Sequence, residues 1–403
     1  MCARPISFHW GVAVVQYVLT MHVLSVVVIG LAFLLEVRGA EPLRIFPEYT
    51  VTTGLKMGYQ LVAVDLNGDG KKDLIALDER STELAWFENP KWERHVLAED
   101  VPRPINVDCY DVDNDGIPEC VVAMHFETNP EKSVGELMLL KSGPDVRAPW
   151  TKKEIDRVPT AHRVRWIDLK GDGKKALLLS PLVGLKARAP DYDDDTPVYL
   201  YRPGEWKRET IINNLHGIVH AIAPVQWAGK KESLLTASFL GLRLYEPSES
   251  GPWKWTEISK GDPRPCPECG SSEVRLGRIG KKRILVTIEP WHGNQVVVYL
   301  QDRKAWKRIV IEDAMVNGHA LAVGDLDGDG RDEIVAGFRG KGYRLTVYKS
   351  VDDSGERWTS QVIDDGGIAA ADCKIEDFDG DGKQEISCIG ASTGNVKLYR
   401  VKN

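Results

Sequence analysis

A nine-residue acidic pattern returns along this chain at a nearly fixed interval, and it constrains the fold more than any other feature. Stretches 65–73, 111–119, 325–333 and 377–385 place acidic or amide side chains at positions 1, 3, 5 and 9, with glycine at position 6. The first holds Asp65, Asn67, Asp69 and Asp73, and the second Asp111, Asp113, Asp115 and Glu119. The third holds Asp325, Asp327, Asp329 and Glu333, and the fourth Asp377, Asp379, Asp381 and Glu385. Stretch 168–176 is a degenerate copy in which Lys170 and Ala176 replace two of the oxygen-bearing residues. Apolar, strand-like runs lie on both sides of each copy, so each reads as a hairpin with an Asp- and Gly-rich turn.

A second pattern is independent of the first. An aromatic residue precedes an aliphatic one by five positions in Trp92 with Leu97, Trp150 with Ile155, Trp206 with Ile211 and Trp253 with Ile258. The same spacing holds for Trp306 with Ile311, Trp358 with Ile363 and Phe46 with Val51. Between each loop and the next such aromatic lies a short strand. The unit is therefore four strands, here lettered a to d, with the acidic loop between a and b. From Asp65 to Asp377 is 312 residues, six steps of 52. Four strands at that period mark a propeller blade. The expected fold is all-β, a single seven-bladed β-propeller over residues 41–403. The last blade has strands a, b and c only, and residues 46–51 supply its fourth, closing the ring and removing an open edge.

Composition adds limits. The chain is 43% hydrophobic and 28% charged, which excludes extended disorder. A net charge of −7 advertises no nucleic-acid surface. Residues 11–36 are almost wholly apolar and are followed by Gly39 and Ala40, the pattern of a secretory signal peptide spanning 1–40, with Met21 as an alternative start. An uncleaved anchor is the other reading, since the run could span a bilayer. Export is the expectation, with no membrane association once the signal is removed.

Acids at positions 1, 3, 5 and 9 of a tight loop suit a hard cation, and Ca2+ takes six to eight oxygens. Up to four Ca2+ ions are expected, in blades 1, 2, 6 and 7, with a structural role. Metal-free Asp-Gly turns are the alternative. Blades 4 and 5 have shortened loops at 226–232 and 278–283. Export leaves six cysteines in an oxidising setting. Cys109 with Cys120 and Cys373 with Cys388 flank two acidic loops at the same cross-strand offset, which suggests two disulfides over free buried thiols. Cys266 and Cys269 form either a local disulfide or half of a zinc site.

Counting back six residues from the first loop position gives His162 in blade 3 and His319 in blade 6. His220 follows in blade 4 with a two-residue deletion. That position begins strand a, which lines the central channel of a propeller. Tyr59 holds it in blade 1, and Asp372 lies one residue later in blade 7. Strand b returns to the same face, bringing His125 and His292 there, while Arg163, Arg165, Asn106 and Glu273 belong to strand a or its start. Three imidazoles with an open position can hold Zn2+ or another divalent transition metal, which polarises a carbonyl or activates water. His162, His220 and His319 are the expected ligands; a polar, metal-free channel mouth is the alternative.

The acidic repeats resemble the FG-GAP/VCBS family, whose repeat also builds the integrin α-chain propeller. That resemblance covers all of the chain after the leader and implies the fold and the calcium loops. The strings around His162 to Trp166, Val219 to Ala221, Ile288 to Gly293, Gly318 to Ala320 and Gly394 to Tyr399 are also similar to the propeller domain of aldos-2-ulose dehydratases. Those are sugar lyases with a metal at the bottom of a propeller cleft. The resemblance implies a lyase or dehydratase acting on a keto-sugar or related carbohydrate. In it, His125, His292 or Asp372 would be acid or base, and Arg163 and Arg165 would hold the substrate. A non-enzymatic propeller that binds glycans or a protein partner is the alternative.

Overall fold

The computed structural model describes residues 44–248, 252–303 and 305–402. The expected leader, 1–40, lies outside the described residues. Among the described residues, twenty-eight strands form seven antiparallel four-stranded sheets and there is no helix. Blade 1 shows the plan: strands a (Gly58–Val64), b (Asp73–Asp78), c (Leu84–Glu88) and d (Glu93–Ala98) pair in chain order. Each a strand packs beside the a strand of the next blade, and the series runs through blade 7 back to blade 1. The fold is a closed seven-bladed β-propeller.

Closure is as the repeat count requires. Arg44–Thr52 pairs antiparallel with Val396–Lys402, strand c of blade 7, and serves as that blade's outer strand. Lys397 Nζ donates to Glu48 Oε2 at 2.8 Å on the closing strand and to Asp364 Oδ2 at 2.9 Å in blade 6. One buried ammonium thus ties the N-terminal strand to two blades.

The burial pattern explains the sequence pattern. Strand b is buried along its whole length in six blades, for example Glu119–Met124, Ala176–Pro181 and Glu385–Gly390. A strand covered on both faces reads as a continuous apolar run. Outer strands such as Thr151–Arg157 are largely exposed and read as polar. The aromatics near the end of strand c, Trp86, Tyr201, Tyr245, Tyr299, Tyr348 and Tyr399, are all buried between blades. Each contributes roughly 1.5–3 kcal/mol of hydrophobic burial. Cys109 lies directly opposite Cys120, and Cys373 opposite Cys388. Both pairs are bridged across strands a and b with Cα atoms 4.1 Å apart, and Cys266 is bridged to Cys269.

Candidate functional site

Five inner strands carry the same irregularity. The a–b register shifts at Tyr59, His162, His220, His319 and Ala371, each skipped between its paired neighbours. Such a bulge turns one side chain out of the alternation and re-aims it. The re-aimed rings meet across the axis. Centroids are 5.1 Å apart for His162 and His220, 5.2 Å for His220 and His319, and 5.2 Å for Tyr59 and His319. In blade 7 the bulged residue is Ala371, so Asp372 points elsewhere. Its Oδ2 accepts from Leu61 N at 3.1 Å and from Lys374 Nζ at 2.6 Å.

A fourth imidazole arrives from above. His292 sits in the turn after strand b of blade 5, with a left-handed backbone (φ 48°). Its Nε2 lies 3.1 Å from His220 Nε2, and its ring is 5.2 Å from that of His319. Gly293 O accepts from Gly318 N at 2.8 Å, which pins this turn beside the start of the His319 strand. A Cβ at Gly318 would fall 2.8 Å from that same oxygen, so the approach needs glycine.

The hydrogen bonds fix which nitrogens are bare. His220 Nδ1 faces Ser272 O at 3.3 Å and Glu273 Oε1 at 3.1 Å. Both oxygens only accept, so Nδ1 carries the proton and the Nε2 lone pair faces His292 Nε2. His319 Nδ1 donates to Ala371 O, and its buried Nε2 has no partner among the described residues. Ligand atoms of His220, His292 and His319 all lie within 4.8 Å of one another. Burial, reinforced by the Arg163 and Arg339 charges, holds all three imidazoles below their ordinary pKa, and hence neutral. A carboxylate behind His220 and a carbonyl behind His319 are the outer partners that metal-bound histidines use. The donor set fits a divalent transition metal with three imidazoles and an open position.

His162 belongs to this cluster but is engaged differently from the expectation. Its Nε2 lies 2.9 Å from Tyr59 Oη and 3.0 Å from Arg163 Nη1, so that lone pair is already used. Its ring stands between the triad and Phe126, 5.5 Å from the latter. Arg163 is buried and paired with Glu273 Oε1 at 3.1 Å. Despite burial, His220, Arg163 and Arg275 hold the Glu273 carboxyl well below the usual carboxylate range. Arg165 Nη1 donates to Asn106 Oδ1 at 2.7 Å. Both arginines lie under the histidines and line a small polar cavity with Glu273 and Arg275.

Above the triad the strand-b exits form a second ring, and its two sides differ. Over blades 3 to 5 it is apolar: Leu182 and Phe239 pack with Tyr192 and Trp291. Over blades 6, 1 and 2 it is polar, with Arg339, Glu79 and His125 at equivalent exits. His125 (φ 52°) donates from Nδ1 to Glu136 Oε2 at 2.8 Å and is partly open to solvent. An adjoining cavity of about 500 Å3 is lined by Glu79, Arg80, Arg103, Phe126 and Glu127, among others. Sequence reasoning missed Arg339 and Glu79. Each lies six residues after the last loop position, as His125 does, and that offset would have found them.

The acidic loops occupy the opposite ends of strands a and b. Position 1 holds the turn: Asp65, Asp111, Asp325 and Asp377 each accept from the glycine N–H at position 6. Asp168 does the same in blade 3, which explains its survival in the degenerate copy. At position 9, Asp73, Glu119, Glu333 and Glu385 each accept from the N–H at position 2. In blade 3, where Ala176 stands at that position, Glu232 of blade 4 accepts from Asp168 N at 2.7 Å. In blade 2, Lys141 Nζ contacts Asp113 and Glu119. In blade 6, Lys349 Nζ contacts Asp327 and lies 3.1 Å from Asp329. Glu333 Oε1 is buried without a hydrogen-bond partner among the described residues, and burial beside Asp327 raises its pKa to about 8.

Comparison with known proteins finds the same repeat and the same fold. Residues 65–122 and 325–388 match the FG-GAP-like repeat, and residues 134–302 match the family described as aldos-2-ulose dehydratase, beta-propeller domain. The aldos-2-ulose dehydratase of Phanerodontia chrysosporium is 21% identical over 347 residues, covering 74% of this chain and 38% of that protein. This chain therefore spans well under half the length of that relative. Crystal structures of BBS1N in complex with ARL6DN, soaked with mercury or with lead, superpose with TM-scores of 0.57 and 0.54 at 12% and 13% identity. They cover 89% and 88% of this chain and 97% of theirs, and the likeness is one of fold. The chain is a seven-bladed propeller carrying FG-GAP-like repeats, and its central stretch is similar to the propeller domain of aldos-2-ulose dehydratase.

Proposed function

We propose that this is an exported, metal-dependent carbohydrate lyase of the dehydratase type, acting on a keto-sugar at the histidine end of the channel. The observation that carries the reading is the convergence of three neutral imidazoles, with the His319 Nε2 bare and the Nε2 atoms of His220 and His292 facing each other, in a polar pocket. His220, His292 and His319 would hold Zn2+ or a similar ion. Such an ion withdraws electrons from a carbonyl oxygen and so acidifies the adjacent C–H bond.

The chain's own groups supply the rest. In the elimination, the C–H bond next to the carbonyl breaks and its proton passes to a base. The C–O bond on the neighbouring carbon then breaks, and the hydroxyl leaves as water after taking up a proton. No oxidant or reductant is needed. His125 is the base we favour, because Glu136 accepts from Nδ1 and turns Nε2 toward the mouth as the position that would take a proton. Trp291 and Tyr192, with ring centroids 5.8 Å apart, offer the apolar wall against which a sugar face stacks. Arg163 and Glu273 act as positioning residues beneath the triad.

Calcium in the acidic loops of blades 1, 2, 6 and 7 is part of the proposal. The buried Glu333 oxygen without a hydrogen bond supports it, and in blades 2 and 6 the ion would displace Lys141 and Lys349. Three disulfides are compatible with an extracellular setting.

The test is to load the purified protein with zinc, keep calcium in excess, and incubate it with neutral keto-sugars. The reading expects an unsaturated carbonyl product, lost in His319→Ala. A zinc-loaded protein that binds sugars without turnover would favour the non-enzymatic glycan-binding alternative.

A further inference from the structure

We infer that the site takes an acidic sugar, a keto-sugar acid whose carboxylate is received by Arg339; this rests on the reading of the histidine end as a carbohydrate site. Arg339 leaves strand b of blade 6 at the mouth. Its backbone N–H donates to Asn317 O at 3.1 Å, two residues before His319, so its place beside the triad is fixed by main-chain pairing. Its side chain is short of an anion. One Nη2 donates to Asn317 Oδ1 at 3.2 Å, Nε is buried with no partner, and among the described residues no carboxylate lies within ion-pair distance. The buried arginine at this end, Arg163, is by contrast paired with Glu273. A half-buried guanidinium without a counter-ion is partly desolvated at a cost, and one beside a ligand pocket is ready for a carboxylate.

The surrounding charges point the same way. Arg103 is paired with Glu127, and Glu136 is shared by His125 and Arg157. Glu79 faces both Arg80 and Arg339, and the nearby Asp78 carboxylate is already taken up by the N–H groups of Lys56 and Met57. Burial pushes the Glu79 carboxyl up from its ordinary pKa, so its countercharge is the weaker one. The mouth therefore offers an aromatic wall on one side and an unpaired guanidinium on the other. A sugar ring that ends in a carboxylate matches both, whereas a neutral sugar leaves Arg339 unanswered.

The test compares binding of 2-keto-gluconate and fructose to the zinc-loaded protein by calorimetry, with calcium present and zinc content measured in the same samples. We expect the acid to bind at least about tenfold more tightly, the ratio that one charge-assisted pair of hydrogen bonds supplies. Arg339→Gln should erase that ratio while fructose binding and zinc content stay unchanged, and Arg339→Lys should keep part of it. Zinc retained with no preference for the acid overturns this assignment alone. A protein that retains no zinc and binds neither sugar overturns the reading beneath it as well. If Arg339→Gln does not fold, a full acid preference in a folded Arg339→Lys and in wild type at high salt overturns the assignment, because a contact made by a positioned fork depends on arginine and weakens with screening.

Discussion

The two ends of the blades are made by the same strands and follow opposite rules. At the acidic end each blade repeats its neighbours. The position 1 aspartate holds the turn in blades 1, 2, 3, 6 and 7, the degenerate copy included. At the histidine end the blades differ, and the difference makes the site. Five blades share a bulge, yet the bulged residue is tyrosine once, histidine three times and alanine once. Blade 5 contributes no bulged residue but sends His292 from the far side of strand b. Repetition builds a rigid ring, and departures from it are aimed at a common axis where seven elements can each supply one group.

If this division is right, the two ends respond separately to change. The largest effect on the acidic end should come from Lys349→Ala measured in a calcium chelator. Lys349 is mostly buried among Asp327, Asp329 and Glu333, and its loss strands three carboxylates, costing about 2–3 kcal/mol of stability. Chemical denaturation should show that loss, with calcium restoring most of it and zinc content unchanged. A drop in bound zinc would break the comparison.

Next in size is Glu273→Gln at the histidine end. It keeps the shape but removes the carboxylate behind His220, and zinc affinity should fall roughly 10–100-fold. Competition with a chromophoric chelator reads this directly, and calcium affinity should not move. The smallest effect is expected for Lys141→Ala in blade 2. Lys141 bridges Asp113 and Glu119 but is 45% exposed, so solvent screening limits its loss to under about 1 kcal/mol. A cost equal to that of Lys349→Ala would mean that burial does not set the difference between these two loops.

What could be read from the sequence follows the same division. The ring, its closure by residues 46–51 and the pairing of Cys109 with Cys120 and Cys373 with Cys388 are visible because they repeat. A fixed offset from the loops also finds His162, His220 and His319. It does not show that Tyr59, 103 residues from His162 in sequence, reaches across the channel to its Nε2. Nor does it show that His292, expected as an acid or base, brings its Nε2 within 3.1 Å of His220. Those facts depend on distances across the axis between blades that are remote in sequence. Asp372 illustrates the cost of one residue: past the bulge, its carboxylate turns to Leu61 N and Lys374. Arg339 carries a sequence signal, the six-residue offset beyond the loop, but its significance lies in the partner it lacks.

The central claim is that His220, His292 and His319 hold one transition-metal ion while His162 does not. Elemental analysis after zinc loading and gel filtration, in the presence of calcium, tests it most directly. The account predicts about one zinc per chain in wild type and in His162→Ala, and close to none in His319→Ala. No zinc in wild type, or equal zinc in wild type and His319→Ala, would contradict it.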